Sequence, residues 1–366
     1  MKNESDKNSR KYPENNQRCM TKEYMDVYSN SKGRHNEYVD IYSSEKRKEK
    51  KLRGTSIFKI IYLTFFIILG VIGGTMIYAY NTLHSFNYED LGDDYSDLKS
   101  GGDEISSKLA NDNMILNIML IGSDSMSTGD HGRSDSLMIL SLDLRHKKIK
   151  VTSLMRDIWI KIPGQGKDRL NAAYAYGGPK LTIETIERNF GIYIDRYAIV
   201  DFDGFSGIID SLGGIDLELS ASECAYINKY SGDSNILKGS GLKHLTGLQA
   251  LHYSRDRNSI GSDYDRTSRQ RNVIKAVVSK LKQANIGQIT ELLTIVGPMI
   301  TTNFKTSEIS RLATKSLTYL NYDVEEFRLP TDDNVRDETF SQKMVLVIKD
   351  LDKAKSDLSN FIYENN

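Results

Sequence analysis

Cysteine is nearly absent from this sequence: there are two in 366 residues, Cys19 and Cys224. They stand on opposite sides of a long apolar run, so a chain inserted in a membrane at that run cannot pair them. Neither a disulfide framework nor a cysteine-based zinc site is available, and a folded domain here must be held by its core. Net charge is lacking too, with 49 basic against 49 acidic residues. A dedicated nucleic-acid binder carries a basic surplus, so nucleic acid is not an expected partner. No Walker-type glycine loop occurs, so a nucleotide is not the obvious phosphate donor. A G-x-S-x-G elbow and an H-E-x-x-H helix are missing as well.

Large aliphatic residues are scarce in residues 1–53, where Lys, Glu, Asn, Ser and Arg dominate. Such a segment cannot bury enough apolar surface to offset the entropy of ordering, and it is expected to be disordered. It contains a repeat: Glu23-Tyr-Met-Asp-Val-Tyr-Ser29 returns as Glu37-Tyr-Val-Asp-Ile-Tyr-Ser43. Alternating apolar and acidic residues suit addition to a partner's sheet edge, which makes residues 23–43 a weak candidate for binding a cytoplasmic partner. A drifted duplication without a role is the simpler reading.

The basic run Lys46-Arg-Lys-Glu-Lys-Lys-Leu-Arg53 leads into residues 57–80, which hold one charge, Lys59. As a helix, about 24 residues span roughly 36 Å, enough to cross a bilayer with some tilt. Lys59, near the start, can snorkel to the headgroups. The long N-terminal extension and the length of the run disfavour a cleaved signal peptide. Acidic residues follow (Glu89, Asp90, Asp93, Asp94, Asp97), so the positive-inside rule puts the N-terminus in the cytoplasm. The expected organisation is a disordered cytoplasmic tail (1–53), a signal-anchor helix (54–80), a hydrophilic stalk (81–112) with a flexible point at Gly101-Gly102, and a folded extracellular domain (113–366).

Hydrophobic runs predict strands at 114–121, 137–142, 149–154, 196–200, 215–219, 324–329 and 344–348. Helical spacing predicts helices at 180–190, 205–212, 246–253, 265–284, 288–296, 307–320 and 351–362. Val273, Ile274, Val277, Val278 and Leu281 form the apolar stripe of the fourth. Strands alternating with helices imply an α/β fold, a mixed central β-sheet flanked by helices.

Polar residues of one kind collect at the ends of these elements. Gly122-Ser-Asp124 follows the first strand, and Gly132-Arg-Ser-Asp135 leads into the second. A loop closed by two strands of one sheet can bring Asp124 and Asp135 together. Two carboxylates with nearby hydroxyls suit a hard cation such as Mg²⁺, although taken alone they read more simply as turn chemistry. Met155-Arg156-Asp157 follows the third strand, a usual position for site residues in α/β folds, though such a neighbour pair is more often a surface ion pair. The third group is Tyr253-Ser-Arg255-Asp-Arg257, then Asp263-Tyr-Asp265-Arg266-Thr-Ser-Arg269-Gln270-Arg271. Arg266, Arg269 and Gln270 occupy the first turns of a helix at i, i+3 and i+4. Cations there oppose the helix dipole unless an anion reverses the cost, and arginine's planar fork suits phosphate oxygens. The bland alternative is a solvated helix start whose arginines pair with Asp263 and Asp265. Several arginines with two metal-type acids suit phosphoryl transfer.

These residues resemble the LytR-CpsA-Psr family of bacterial cell-envelope proteins, from about Asn117 to the C-terminus. The resemblance rests on Asn117-Ile-Met-Leu-Ile-Gly-Ser-Asp124, Arg133-Ser-Asp-Ser-Leu-Met138, Ser153-Leu-Met-Arg-Asp157 and Leu170-Asn-Ala-Ala-Tyr-Ala-Tyr-Gly-Gly178. It continues with Gly213-Gly-Ile-Asp216, Tyr253-Ser-Arg255 and Asp263-Tyr-Asp-Arg266 followed by Arg269-Gln-Arg271. It implies a phosphotransferase that moves a glycopolymer from a polyprenyl-pyrophosphate carrier onto peptidoglycan in a Gram-positive envelope. Its fold would hold a pocket for the prenyl chain. Carried over by position, Asp124 and Asp135 would hold Mg²⁺. Arg133, Arg156, Arg255, Arg257 and Arg266, with Gln270, would contact the pyrophosphate, Arg269 matching the same pattern. Asp263 would support the arginines or help in proton transfer. Two departures are Met155, where many members have proline, and Ser125, where some have arginine. Two other readings of the same residues are a hydrolase of the lipid pyrophosphate and a non-catalytic binder that signals through the tail.

Overall fold

Runs of aliphatic and β-branched residues become strands, and those buried on both faces gather into one sheet. In chain order the strands are β1 (Asn87–Tyr88), β2 (Ile115–Ser123), β3 (Ser134–Asp143), β4 (Lys148–Leu154), β5 (Trp159–Ile162), β6 (Gly166–Arg169), β7 (Arg196–Val200), β8 (Ile215–Leu219), β9 (Gly241–Leu245), β10 (Thr301–Thr302), β11 (Asp323–Leu329), β12 (Val335–Phe340) and β13 (Lys343–Ile348). The helices are α1 (Ala172–Phe190), α2 (Phe202–Ser211), α3 (Ala221–Ser231), α4 (Gly247–Arg255), α5 (Asp263–Leu281), α6 (Ile286–Val296), α7 (Thr306–Tyr319) and α8 (Leu351–Tyr363). This computed structural model describes residues 64–70, 85–91, 109–124, 132, 134–232, 236–256, 263–340 and 342–364. The expected tail, its tyrosine repeat and Gly101-Gly102 lie outside the described residues.

Contacts divide the chain into two units, Met1–Ile68 and Leu69–Asn366. Of the first, only residues 64–68 are described. Residues 64–70 are helical, and Phe65, Phe66, Ile67, Ile68 and Leu69 are exposed. Among the described residues no helix is long and apolar enough to cross a membrane; most of the run 57–80 falls outside them.

In the second unit seven strands pair in the order β1-β10-β7-β2-β3-β4-β11. β2, β3 and β4 form an antiparallel meander. β7 runs parallel to β2, and β11 parallel to β4, so the sheet is mixed, as expected. One face packs Met119, Leu137, Ile139 and Leu154 against Ile183, Ile186 and Phe190 of α1 and Leu358 and Ile362 of α8. The other face presents Met138, Leu142, Ile149 and Val151 toward Ile274 of α5 and Leu312 of α7. A third cluster joins Ile209, Cys224, Ile227, Ala250 and Val273 from α2, α3, α4 and α5 over Ile215 and Leu217 of β8.

Two expected strands leave the sheet. Residues 215–219 pair only with β9, and residues 344–348 with β12, in separate ribbons. Their partner strands carry Lys243, His244, Arg336, Asp337 and Glu338, which masked the signal. The hairpin β5–β6 and helix α3 were not expected at all. The expected helix 180–190 is the second part of α1, whose first turns end in a break. Gly178 sits at φ 59°, ψ −152°, a backbone region that glycine alone tolerates, and Pro179 follows.

The expected stalk, residues 81–112, is in part built into the domain. Asn87 and Tyr88 pair with Thr301 and Thr302 at the sheet edge, and Leu91 is buried. Ala110 bridges Ile192, and its carbonyl accepts the Tyr363 hydroxyl. Single apolar residues among charges carry no periodicity, so this docking was invisible in the sequence.

Candidate functional site

The site starts where β2 and β3 diverge. Gly122 faces Ser136 so closely that a Cβ added there would lie 3.1 Å from the Ser136 Cβ. The register then slips, and Ser123 lies opposite Ser134. Such a bulge re-aims the next side chains. Asp124 emerges exposed and Asp135 half-buried. Beyond β4, Arg156 Nη1 donates to Asp135 Oδ1 at 2.9 Å. Its Nε lies 3.4 Å from Asp157, which also takes Arg169 Nη1 at 3.2 Å. The Arg156 carbonyl accepts from the Asn171 amide at 3.0 Å, tying this corner to the start of α1. The pair Arg156–Asp157 therefore belongs to a row of alternating charges that ends on Asp135.

The opposite wall comes from α4 and α5. α4 opens with a capping box between Thr246 and Gln249 and ends at Arg255. The Arg255 guanidinium lies over the Phe202 ring, 4.3 Å from its centroid. On α5, Arg266 is 3% exposed, and one turn later Gln270 Oε1 accepts the Ser136 hydroxyl at 3.2 Å. Arg269 does not share that face. Its Nε donates to Glu223 at 2.9 Å and its Nη1 to the Asp256 carbonyl at 2.9 Å, so the residue expected to bind substrate instead holds the turn after Arg255. Arg271 points elsewhere, to Glu326 on β11 and the Ser153 hydroxyl on β4. Consecutive helical residues are about 100° apart, so 269, 270 and 271 must diverge.

Two cavities meet at these residues. An apolar one of about 510 Å³ lies between the sheet and helices α2, α5 and α7, lined by Met138, Leu140, Leu142, Phe205, Val277 and Leu312 among others. Along α5 its lining runs from Gln270 to Val278, roughly 12 Å at about 1.5 Å per residue. A polar one of about 370 Å³ is lined by Asp135, Tyr226, Tyr230, His252, Arg255, Arg266 and Gln270. Asp135, Arg255 and Gln270 line both. Of the expected site residues, Asp135, Arg255, Arg266 and Gln270 thus converge on one place, with Arg156 bonded to the first. Arg133 and Arg257 lie outside the described residues, and of Asp263 only the backbone at the start of α5 is described.

His252 was not singled out in the sequence. It lies three residues before Arg255 on one face of α4, which was the available signal. Burial, and then the neighbouring Arg255 charge, hold its pKa below the ordinary 6.5.

Asp124, Ser134 and Asp135 supply oxygen donors of the kind a hard cation takes, although one oxygen of Asp135 already accepts from Arg156 at 2.9 Å. Ser134 Oγ lies buried at the bulge without a hydrogen-bond partner among the described residues, and hydroxyl and carboxylate oxygens are the ligands Mg²⁺ prefers. Asp143, His146 and Glu364 also cluster. There, however, the Lys150 ammonium lies 2.8 Å from Asp143 and 2.9 Å from Glu364, so that group is an ion-pair network.

An α/β domain in which an apolar cavity shares lining residues with an arginine-lined polar one has the shape and charge that suit an amphiphile with an anionic head. The family model of the LytR_cpsA_psr family matches residues 75–359, and the chain belongs to that family. It is 31% identical over 276 residues to the polyisoprenyl-teichoic acid–peptidoglycan teichoic acid transferase TagU of Bacillus mycoides, covering 73% of this chain and 87% of the relative. The crystal structure of B. subtilis TagT matches with TM-score 0.56 and 25% identity over 69% of this chain and 94% of that one. A structure described as TagT bound to LI-WTA matches with TM-score 0.57, again at 25% identity, over 69% and 93%.

Proposed function

We propose that this protein is a phosphotransferase that moves a glycopolymer from a polyprenyl-pyrophosphate carrier onto peptidoglycan at the outer face of a membrane. The observation that carries this is the junction at Asp135, Arg255 and Gln270, where apolar and polar cavities meet. A prenyl chain suits the first, and a pyrophosphate with its glycan suits the second. The transferase named among the relatives and the ligand of the TagT complex support the same chemistry. The apolar run 57–80, whose residues 64–70 are helical and expose Phe65, Phe66 and Ile67, serves in this reading as the membrane anchor.

In the reaction an acceptor hydroxyl oxygen attacks the glycan-linked phosphorus. The bond from that phosphorus to the bridging oxygen breaks, and polyprenyl phosphate leaves with the bridging oxygen. Arg255 and Arg266 hold the phosphate oxygens, where donors aimed at developing charge act most strongly. His252, neutral near pH 7, accepts the hydroxyl proton. Arg156 orients Asp135 through the 2.9 Å bond. Mg²⁺ held by Asp124 and Asp135 would neutralise phosphate charge.

The test uses the full chain reconstituted in vesicles with a synthetic polyprenyl-pyrophosphate glycan, peptidoglycan fragments and Mg²⁺, with products followed by mass spectrometry. A glycan–peptidoglycan conjugate is expected. Arg255→Ala should lower its formation about 10²–10³-fold, as for loss of one charge-stabilising donor, with the unfolding midpoint unchanged. Undiminished transfer in that variant would remove Arg255 from the site. Phosphorylated glycan released without conjugate would replace the transferase by a hydrolase, and lipid retention without turnover would replace it by a binder.

A further inference from the structure

The apolar cavity has a roof. α7 lines it through Leu312, Ser316 and Tyr319, with its C-cap Leu320, and α2 through Phe205 and Ile208. α6 packs on both helices from outside. α6 carries one charge, Glu291, in Ile286–Val296. The outer surface of this pair exposes large apolar side chains, Ile295 at 44% and Leu317 at 42%. Leu317 directly follows Ser316 and lies three residues before Leu320, both of which line the cavity, so it stands beside the cavity wall. Arg311 and Lys315 on α7 are exposed as well and make no ion pair among the described residues.

The covalent chain says what covers this surface. Ser85 and Phe86 pack on Gly297, just past the end of α6: a Cβ added there would meet Ser85 Oγ at 2.1 Å and Phe86 Cδ2 at 3.4 Å. Asn87 Nδ2 donates to the Pro298 carbonyl at 2.8 Å. The apolar run ends at Tyr80. Five residue steps bridge it to Ser85, at most about 18 Å at roughly 3.6 Å each. With residues 57–80 as the anchor, the C-terminal end of α6 is tethered within about that distance of the bilayer surface.

We propose that the α6–α7 face rests on an anionic bilayer, with Ile295 and Leu317 in its interfacial layer and Arg311 and Lys315 against anionic headgroups. The prenyl chain then passes between membrane and cavity beside Leu317 without crossing water. Exposed apolar side chains flanked by basic ones are what interfacial binding requires. Glu291, one turn before Ile295, is the one acidic residue of this helix and shares its exposed face.

The proposal rests on the anchor and lipid-cavity reading above, and its test keeps the two separable. The full chain with Cys19→Ser is reconstituted in vesicles of phosphatidylglycerol and phosphatidylcholine. Ile295→Cys, Leu317→Cys or Asp352→Cys then carries a nitroxide. Asp352 opens α8 on the opposite face of the sheet, with its side chain 93% exposed. Labels at 295 and 317 should collide several-fold more with oxygen, relative to a water-soluble nickel chelate, than the label at 352. Arg311→Glu with Lys315→Glu should abolish that difference. Equal ratios at all three positions, or a difference that survives the charge reversal, would overturn the proposal. Retention of a polyprenyl-pyrophosphate lipid is measured on the same vesicles. Shielded labels without lipid retention would uphold the docking face and overturn the functional reading instead.

Discussion

At His252, burial and the Arg255 guanidinium act in the same direction, and both disfavour the imidazolium. The folded pKa lies below the unfolded value, so the unfolded chain binds the proton more readily. This contribution to stability is complete above about pH 6.5 and is lost as pH falls through the folded pKa. The same shift keeps a ring nitrogen available to take a proton at neutral pH. The transfer rate is therefore expected to fall on the acid side with an inflection below 6.5, and His252→Gln should lower the rate and abolish that inflection. A pH–rate profile of kcat for both proteins checks this. An unchanged acid limb in the variant would assign it to another group. Arginine-rich motifs drew attention to Arg255 and Arg266, whereas a lone histidine between Leu251 and Tyr253 carried no pattern of its own.

Among the elements, α3, α4 and α5 meet at a single tie. Glu223 closes the capping box of α3 with Ser220 and also accepts Arg269 of α5. Arg269 in turn holds the carbonyl of Asp256, the residue after Arg255. Burial pushes the Glu223 carboxyl up, but the Arg269 guanidinium and the Ser220 backbone and hydroxyl outweigh it and leave its pKa below the ordinary value. In the proposed reaction Arg269 is thus a positioning residue. Arg269→Ala and Glu223→Ala should each lower kcat more than they change KM. The double variant should lose little more than either alone, giving a coupling of about 0.5–3 kcal/mol in a double-mutant cycle on kcat/KM. Strict additivity would separate the two residues. The helical spacing 266, 269, 270 was legible in the sequence, and it places three residues near one face. Which of them reaches the cavity depends on α3, an element the sequence reading did not contain.

For the molecule as a whole, the polar interior between β3, β4 and the C-terminus matters most. Lys150 is fully buried, pairs with Asp143 at 2.8 Å and donates to the Ile362 carbonyl at 2.8 Å at the end of α8. Burial pushes the Asp143 carboxyl up. The His146 amide, the Lys150 ammonium and the His146 ring together outweigh it and hold the pKa at about 2. Because the folded value is depressed, the stability it contributes is present above the ordinary 3.8 and disappears as pH falls toward 2. Asp143→Asn should flatten that acid limb. It should also cost about 3–5 kcal/mol at neutral pH by leaving a buried ammonium short of its partner. Chemical denaturation across pH measures both, and unchanged neutral stability would refute the role of the pair.

The sequence by itself determined what local periodicity and composition encode. Six-residue runs such as 149–154 became strands, and the stripe from Val273 to Val278 became the inward face of α5. The ordered motifs from Asn117 onward carry the family in the sequence itself. Only the tertiary structure decided which motif residues share a site. The bulge at Gly122 and Ser123 aims Asp135 at Arg156, and the crossing of α4 with α5 sets His252 beside Arg266 in one cavity. It also turned Arg269 inward and drew Asn87, Leu91 and Ala110 from an expected stalk onto the domain. Those outcomes depend on contacts between residues tens to hundreds of positions apart, and no short-range pattern carries that information.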